Sequence, residues 1–328
     1  MSVESNSSGP LVTSLPPHDE RPSSLRRQVF GRLRHDATSM FALVVFVLLV
    51  LAAAIGGPLA AWWTGHSPDA QYPNALSSGG LPLGIMQRTY LPNGISHNPH
   101  GGLFVLGSDA LGRDVLVRVL YGARISLLVA GGATALALVI GVSLGLLAGY
   151  FGGWIDGIVN RFTETAMAFP NLLLAVALAV VVGPGLLNVV VIIAFFTWYY
   201  PARIVRSATV AAKEMTFVAA ARTMGARPRR ILVVHLLPQV WGPLLVYATS
   251  IVANNIIFEA SLSYLGVGVP QPTPSWGQML SDAVTSGLYQ VDLSLAVVPG
   301  VALVLTMLCF NLLGDGLHDA LDPKASRR

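Results

Sequence analysis

The sequence runs to 328 residues, of which 53% are hydrophobic and only 11% charged, with a formal net charge of +4. A soluble domain carries about 25% charge, so this apolar content exceeds what one core hides, and part of the chain's solvent is lipid. The small positive excess leaves no footprint for a nucleic-acid partner, and the single cysteine, Cys309, excludes an internal disulfide and a cysteine-cluster metal site.

In chain order, residues 1–38 mix Ser, Pro and charges without an apolar period, which predicts a disordered tail. They do not form a signal peptide, because the first apolar run begins only near Met40 and is too long. That run, Met40 to Trp63, is the first expected membrane span (39–63), and residues 64–120 form a loop after it. The loop holds His97 and His100 among Asn and Gly; two ligands do not close a metal site, so no metal is expected there.

The second charge-free stretch is Ile125 to Gly149. Gly141, Gly145 and Gly149 recur every four residues and line one helix face, a seam where a second backbone can approach closely. Gly141-Val142-Ser143-Leu144-Gly145 formally fits a nucleophile elbow, which needs a strand–turn–helix corner with His and acid partners. Here it lies in an uninterrupted span with no well-placed His, so no catalytic residue is expected.

Thr165 to Ala202 is uncharged throughout and too long for one span; Gly183-Pro184-Gly185 splits it into the third and fourth. Arg161 and Glu164, one turn apart at its start, read as a local pair. Leu237 to Tyr264 is the fifth span and Leu293 to Gly314 the sixth, followed by a tail, 316–328. The fold class is therefore an all-α membrane protein with six transmembrane helices, five of them within 121–315.

Charge placement sets the orientation. The tail before the first span carries Arg21, Arg26, Arg27, Arg32 and Arg34, and the end carries Lys324, Arg327 and Arg328. The segment between the fourth and fifth spans carries Arg203, Arg206, Lys213, Arg222, Arg227, Arg229 and Arg230 against one acid, Glu214. Residues 265–292 carry no Lys or Arg, and the four Arg of 64–124 are offset by Asp69, Asp109 and Asp114. Both termini and the 203–236 loop are expected to be cytoplasmic, with 64–124 and 265–292 outside.

The cytoplasmic loop is the most informative segment. Ser207 to Met224 has a helix-forming composition, Gly225 stops it, and Pro228 opens a second helix running through Leu236-Leu237-Pro238 into the fifth span. The physics predicts a helix–Gly–helix elbow whose small surface, Ala219, Ala220 and Ala221, lies flat against a partner. A basic amphipathic loop resting on anionic lipid is the competing reading.

The stretch Phe217-Val218-Ala219-Ala220-Ala221-Arg222-Thr223-Met224-Gly225, nine residues, then His235-Leu236-Leu237-Pro238 resembles the cytoplasmic loop of ABC importer permeases. The Ala-Ala, Gly and Leu-Pro positions match in spacing; Ala219 stands where that family has Glu and His235 where it has Ile, the His variant resembling the peptide-transporter branch. Leu106-Gly107-Ser108-Asp109-Ala110-Leu111-Gly112-Arg113-Asp114-Val115 through Leu127 is similar to the C-type subunit of dipeptide/oligopeptide/nickel permeases. So are Glu259 to Gly266, Pro272 to Gly277 and Asn311 to Leu317. The resemblance covers about 106–323, with none in 1–38 or 64–105.

The resemblance implies a bacterial inner-membrane permease subunit of an ATP-driven importer of dipeptides or oligopeptides. Nickel or haem are alternative cargoes in the same class. It implies a coupling helix contacting an ATPase, with Ala219, Ala220, Ala221, Gly225, His235, Leu237 and Pro238 at the contact. It also implies a second permease, two ATP-binding subunits and an extracytoplasmic binding protein that rests on the 265–290 segment. The chain is expected to bind no cofactor: its only lysines, Lys213 and Lys324, follow no P-loop glycine pattern, so ATP and Mg belong to the partner subunits. Asn254, Asn255 and Glu259 sit in the outer half of the fifth span. An intramembrane carboxylate faces protein or water, so these three read as bonding at a subunit interface or as lining the pathway. An ion-coupled secondary transporter is the remaining alternative, with Glu259 as its coupling carboxylate.

Overall fold

The computed structural model describes residues 37–77, 80–89 and 102–321. The N-terminal tail through residue 36, the His97/His100 pair and the C-terminal Lys324, Arg327 and Arg328 lie outside the described residues.

The helices form wherever charge-free runs meet a clear start and stop. Helix α1 spans Ala37–Thr64, with one π-turn at Ala52–Gly56, and closes on Gly65 in the left-handed region (φ 75°). Helix α2, Val115–Phe151, is started by Asp114, whose side chain accepts from the Val117 N–H at 3.1 Å. Its 37 residues reach about 55 Å, well beyond the ~30 Å hydrocarbon core. It therefore begins ten residues before the charge-free stretch and takes Arg118 and Arg124 into the helix. Gly152 and Gly153, both at positive φ, turn the chain into α3, Gly153–Ala168.

The third and fourth spans are broken. Phe169 is forced extended by Pro170, so α3 ends there and α4, Asn171–Val182, leaves at 92° to it. Helix α5, Leu186–Phe195, follows the Gly183–Gly185 turn and bends by 42° into α6, Tyr199–Lys213. Four described helices are long and apolar enough to cross a membrane, and six spans result when each bent pair counts as one.

The elbow consists of α7, Thr216–Thr223, and the start of α8, Pro228–Tyr264, which holds a π-turn at Ile231–Leu236. After it come α9, Trp276–Thr285, opened by Ser275 accepting from Gln278 N at 3.2 Å, and α10, Ser294–Leu321. Two short strands, β1 (Gln87–Arg88) and β2 (Leu103–Phe104), pair antiparallel in the 64–114 segment.

Packing centres on α2. Its glycine seam lies against α6: a Cβ at Gly141 would meet Trp198 O at 2.5 Å, one at Gly145 Ala202 O at 2.5 Å, and one at Gly149 Thr209 Cβ at 2.7 Å. The seam expected from the four-residue spacing is thus a backbone-to-backbone contact. Ser143 sits mid-helix with its hydroxyl donating to Val139 O (2.7 Å), as a packed span requires and a nucleophile elbow does not. Helix α10 joins α1 through Phe46 and Phe310, with ring centroids 5.4 Å apart, and through the Cys309 thiol on Ala42 O.

Candidate functional site

Three polar features stand out: at the end of the bundle that carries the elbow, around Glu259, and at the opposite end.

The elbow differs from expectation in one respect. The helix from Ser207 is not continuous to Met224: α6 ends at Lys213 and α7 starts at Thr216. The break has a packing reason. Ala212 and Val218 are both buried in one cluster with Leu146, Val205, Ala221, Ile231 and Leu236. In a continuous helix they would point about 120° apart. At the other end of α7, Gly225 takes φ 77°, with Gly225 N–H donating to Arg222 O (2.9 Å) and Ala226 N–H to Ala221 O (3.0 Å). This is a Schellman close, and Pro228 then opens α8 at its first turn.

The candidate coupling residues separate by face. Ala219, Ala220, Gly225 and Pro238 are exposed, His235 and Leu237 are half-buried, and Ala221 is buried against α6 and α8. Around Ala219 and Ala220 the exposed groups are Met215, Phe217 and Met224, the last 80% exposed, with Arg222, Arg227, Arg229 and Arg230 beside them. The elbow is tied to the bundle by Lys213 Nζ on Gly149 O (3.0 Å) and by the Arg222 guanidinium 5.2 Å from the Tyr150 ring centre. Arg206 grips Asp156 of α3 through Nε and Nη2, the latter at 2.6 Å from Oδ2. Arg161 and Glu164, 3.7 Å apart, are both exposed.

In the middle, Glu259 is wholly enclosed by this chain. Ser126 donates to its Oε2 at 3.0 Å and Ser263 to its Oε1 at 2.8 Å; Trp276 N–H donates in turn to Ser126 Oγ at 3.3 Å. The carboxylate therefore pins α2, α8 and the start of α9 together. Asn255 is also buried, its Nδ2 donating to Thr134 Oγ1 on α2 at 2.9 Å. Asn254, the third residue of the set, is exposed and lines a cavity of about 340 Å³ with Asn171, Thr197, Tyr200, Tyr247 and Ser261.

At the end of the bundle opposite the elbow Arg113 bridges Asp109 (2.6 Å) and Asp282 of α9 (3.0 Å). Arg118 donates to Pro68 O at 2.9 Å, and His66 Nδ1 lies 2.6 Å from the helix-capping Asp114. These contacts fasten the 64–114 segment and the 265–292 segment to one end of α2.

Sequence reasoning missed the Asp156–Arg206 pair and the cavity residues on α4 and α6. The first signal available was the Pro170 break. The second was the aromatic run Trp198-Tyr199-Tyr200 inside an otherwise aliphatic stretch.

Comparison with known proteins follows this geometry. Residues 141–327 match the family described as binding-protein-dependent transport system inner membrane component. Residues 24–81 match the N-terminal transmembrane domain of oligopeptide transport permease C. The second match corrects, for 24–38 and 64–81, the expectation of no family resemblance; these stretches lack the long motifs that made the rest readable. The chain is 44% identical over 219 residues to the glutathione transport system permease protein GsiD of Pectobacterium atrosepticum, covering 67% of this chain and 72% of the relative. It is 36% identical over 284 residues to the di/tripeptide transport system permease protein DppC of Pseudomonas aeruginosa, covering 86% of each. Among solved structures, the MetNI methionine ABC transporter in its inward-facing form has a chain that aligns with a TM-score of 0.49 at 23% identity, covering 62% of this chain and 96% of that one.

Proposed function

The chain belongs to the inner-membrane components of binding-protein-dependent transport systems, with the N-terminal domain of the oligopeptide permease C branch, and from that premise we propose that it imports di- and oligopeptides. It is a multi-pass permease subunit of an ABC importer and not an enzyme; ATP hydrolysis belongs to separate subunits of the system. The observation that carries the coupling role is the elbow. Its exposed Ala219 and Ala220, with Met215, Phe217 and Met224 exposed nearby in sequence, form a small apolar knob that none of the described residues buries.

The knob docks on an ATP-binding subunit, one of two, and ATP and Mg are bound there. Arg222, Arg227, Arg229 and Arg230 flank it and favour an acidic partner surface. Motion of the knob reaches the bundle through Arg222 on Tyr150 of α2 and through the adjoining α6, which Lys213 fastens to Gly149 of α2 and Arg206 to Asp156 of α3. Both termini and the elbow face the cytoplasm, as the Arg-rich 203–236 loop requires. The 64–114 and 265–292 segments, clamped together by Arg113 and Arg118, face outward and receive the binding protein. A second permease faces this one across the pathway. Peptide cargo is supported by relatives named for di/tripeptide and glutathione transport.

The test is purification of the chain from native membranes, followed by reconstitution of whatever co-purifies with its binding protein. Recovery of a second permease and ATPase subunits, with ATP-dependent uptake of dialanine, is the expected result. Uptake of nickel or haem and none of peptides would overturn the cargo. Ion-driven uptake by this chain alone would overturn the importer assignment of its transport cycle.

A further inference from the structure

The cavity of about 340 Å³ lies where both broken spans meet α8. Asn171 is the first residue of α4, at the Pro170 break; Thr197 and Tyr200 flank the bend between α5 and α6. Tyr247, Ile251, Asn254 and Ser261 come from α8. Helices α4 and α5 have 12 and 10 residues, about 18 and 15 Å, so a turn at the outer surface puts both breaks near the bilayer midplane. Interrupted backbone at that depth is tolerated where it is buried in protein or lines a water-filled space. Paired discontinuous helices of this kind build midplane binding sites in transporters.

The side that opens mixes polar and apolar groups. Tyr200 is 40% and Ile257 44% exposed, and Asn254 is exposed as well. An asparagine directed at hydrocarbon is costly, so this side faces water or protein.

The chemistry of the wall is selective in what it leaves out. Among the described residues no Asp, Glu, His, Lys, Arg or Cys lines the cavity. A metal ion finds no carboxylate, imidazole or thiolate ligand there, and the acid groups of haem find no cation. What remains is neutral hydrogen bonding from amides, phenols and hydroxyls, with Leu172, Ile251, Ile257 and Phe258 as apolar wall. The volume falls within the roughly 300–1,000 Å³ of small-molecule sites.

We propose that this cavity is the transit site for the peptide, holding its main chain by neutral hydrogen bonds to Asn254, Tyr200, Tyr247 and Ser261 and leaving side-chain charge unread. The inference rests on the peptide-import reading and deepens it. A site that ignores side-chain charge passes any peptide the binding protein delivers.

The test installs a charge after assembly. Asn254→Cys is made in a Cys309→Ser background, and the complete complex is reconstituted with its binding protein in vesicles. Co-purification of the ATPase subunits verifies assembly. The thiol is then modified from either side with an anionic or a cationic methanethiosulfonate reagent. Uptake of Lys-Ala is compared with uptake of Glu-Ala. The unmodified complex sets the reference ratio. The anionic adduct is expected to raise Lys-Ala over Glu-Ala on the order of fivefold and the cationic adduct to lower it by a similar factor, the size of a charge interaction in a water-filled space. Excess dialanine is expected to slow modification.

Modified complexes that keep the reference ratio, or a thiol that dialanine does not protect, would overturn the transit site. A parent complex carrying neither substitution that imports no peptide would instead overturn the functional reading beneath it. If Asn254→Cys fails to assemble, Ser261→Cys, on the same wall, is carried through the same comparison with the same two outcomes.

Discussion

At the scale of single residues, the bundle depends on what is absent. Gly145 brings α2 so close to α6 that a Cβ would stand 2.5 Å from the Ala202 carbonyl oxygen, a backbone atom that no rotamer moves away. Gly145→Leu is therefore expected to cost at least the ~1–3 kcal/mol of overpacking and to lower the melting temperature of the purified complex. Gly131→Ala, at a position with nothing within 4 Å, should leave it unchanged or slightly raised. Equal thermal stability for Gly145→Leu and the parent chain would show that the seam is loose. The seam was legible because its spacing is a local property of the sequence. Glu259 was not, because its partners Ser126 and Ser263 approach it from another helix and from the next turn, and serines carry no pattern that announces such a node. Its enclosure argues for a clamp between α2, α8 and α9, and places Asn254, five residues earlier, as the member of the set with access to space.

At the scale of elements, charge-free length marked α1, the later parts of α2 and α8, and the first three quarters of α10, because lipid imposes that length directly. It failed where charge enters a helix. Arg118 looked like loop chemistry, yet it sits in the first turn of α2, held by the Pro68 carbonyl. It failed again where tertiary packing breaks a helix, at Phe169–Pro170 and at Glu214–Met215. The elbow was legible through its glycine. Gly225 sits at φ 77° with open space around it, so its side of the turn is governed by backbone conformation and not by crowding. Gly225→Ala is then expected to cost only about 1–2 kcal/mol and to keep most coupling. Gly225→Pro removes the N–H that bonds Arg222 O and demands φ near −65°, so it should abolish stimulation of the ATPase by loaded binding protein while the subunit still inserts. The measurement is ATPase rate with and without binding protein in reconstituted complex. Normal stimulation in the proline variant would remove the elbow from the coupling path.

At the scale of the whole molecule, orientation follows from where the cations lie. The 203–236 loop holds seven Lys or Arg and one acid, whereas 265–292 holds none. Arg206 is already engaged by Asp156, and Lys213 by a carbonyl, so the exposed trio Arg227, Arg229 and Arg230 carries much of the free charge next to α8. Acidic residues contribute little to topology, so Arg→Glu at all three positions acts mainly by deleting cations. The expected outcome is a mixed population and not a clean inversion, because the N-terminal arginines continue to hold α1 in its original sense. Single cysteines at Thr216 and Gln290, both exposed and on opposite ends of the bundle, report this in a Cys309→Ser background. In the parent chain a membrane-impermeant maleimide on intact cells should label position 290 and spare position 216. With the three glutamates, part of the population should become labelled at 216, and the elbow would be lost to the ATPase in that fraction, lowering transport in proportion. Unchanged labelling would assign control of orientation to the first span and its tail, and would leave the Arg trio with its other role, facing an acidic partner surface beside the Ala219–Ala220 knob.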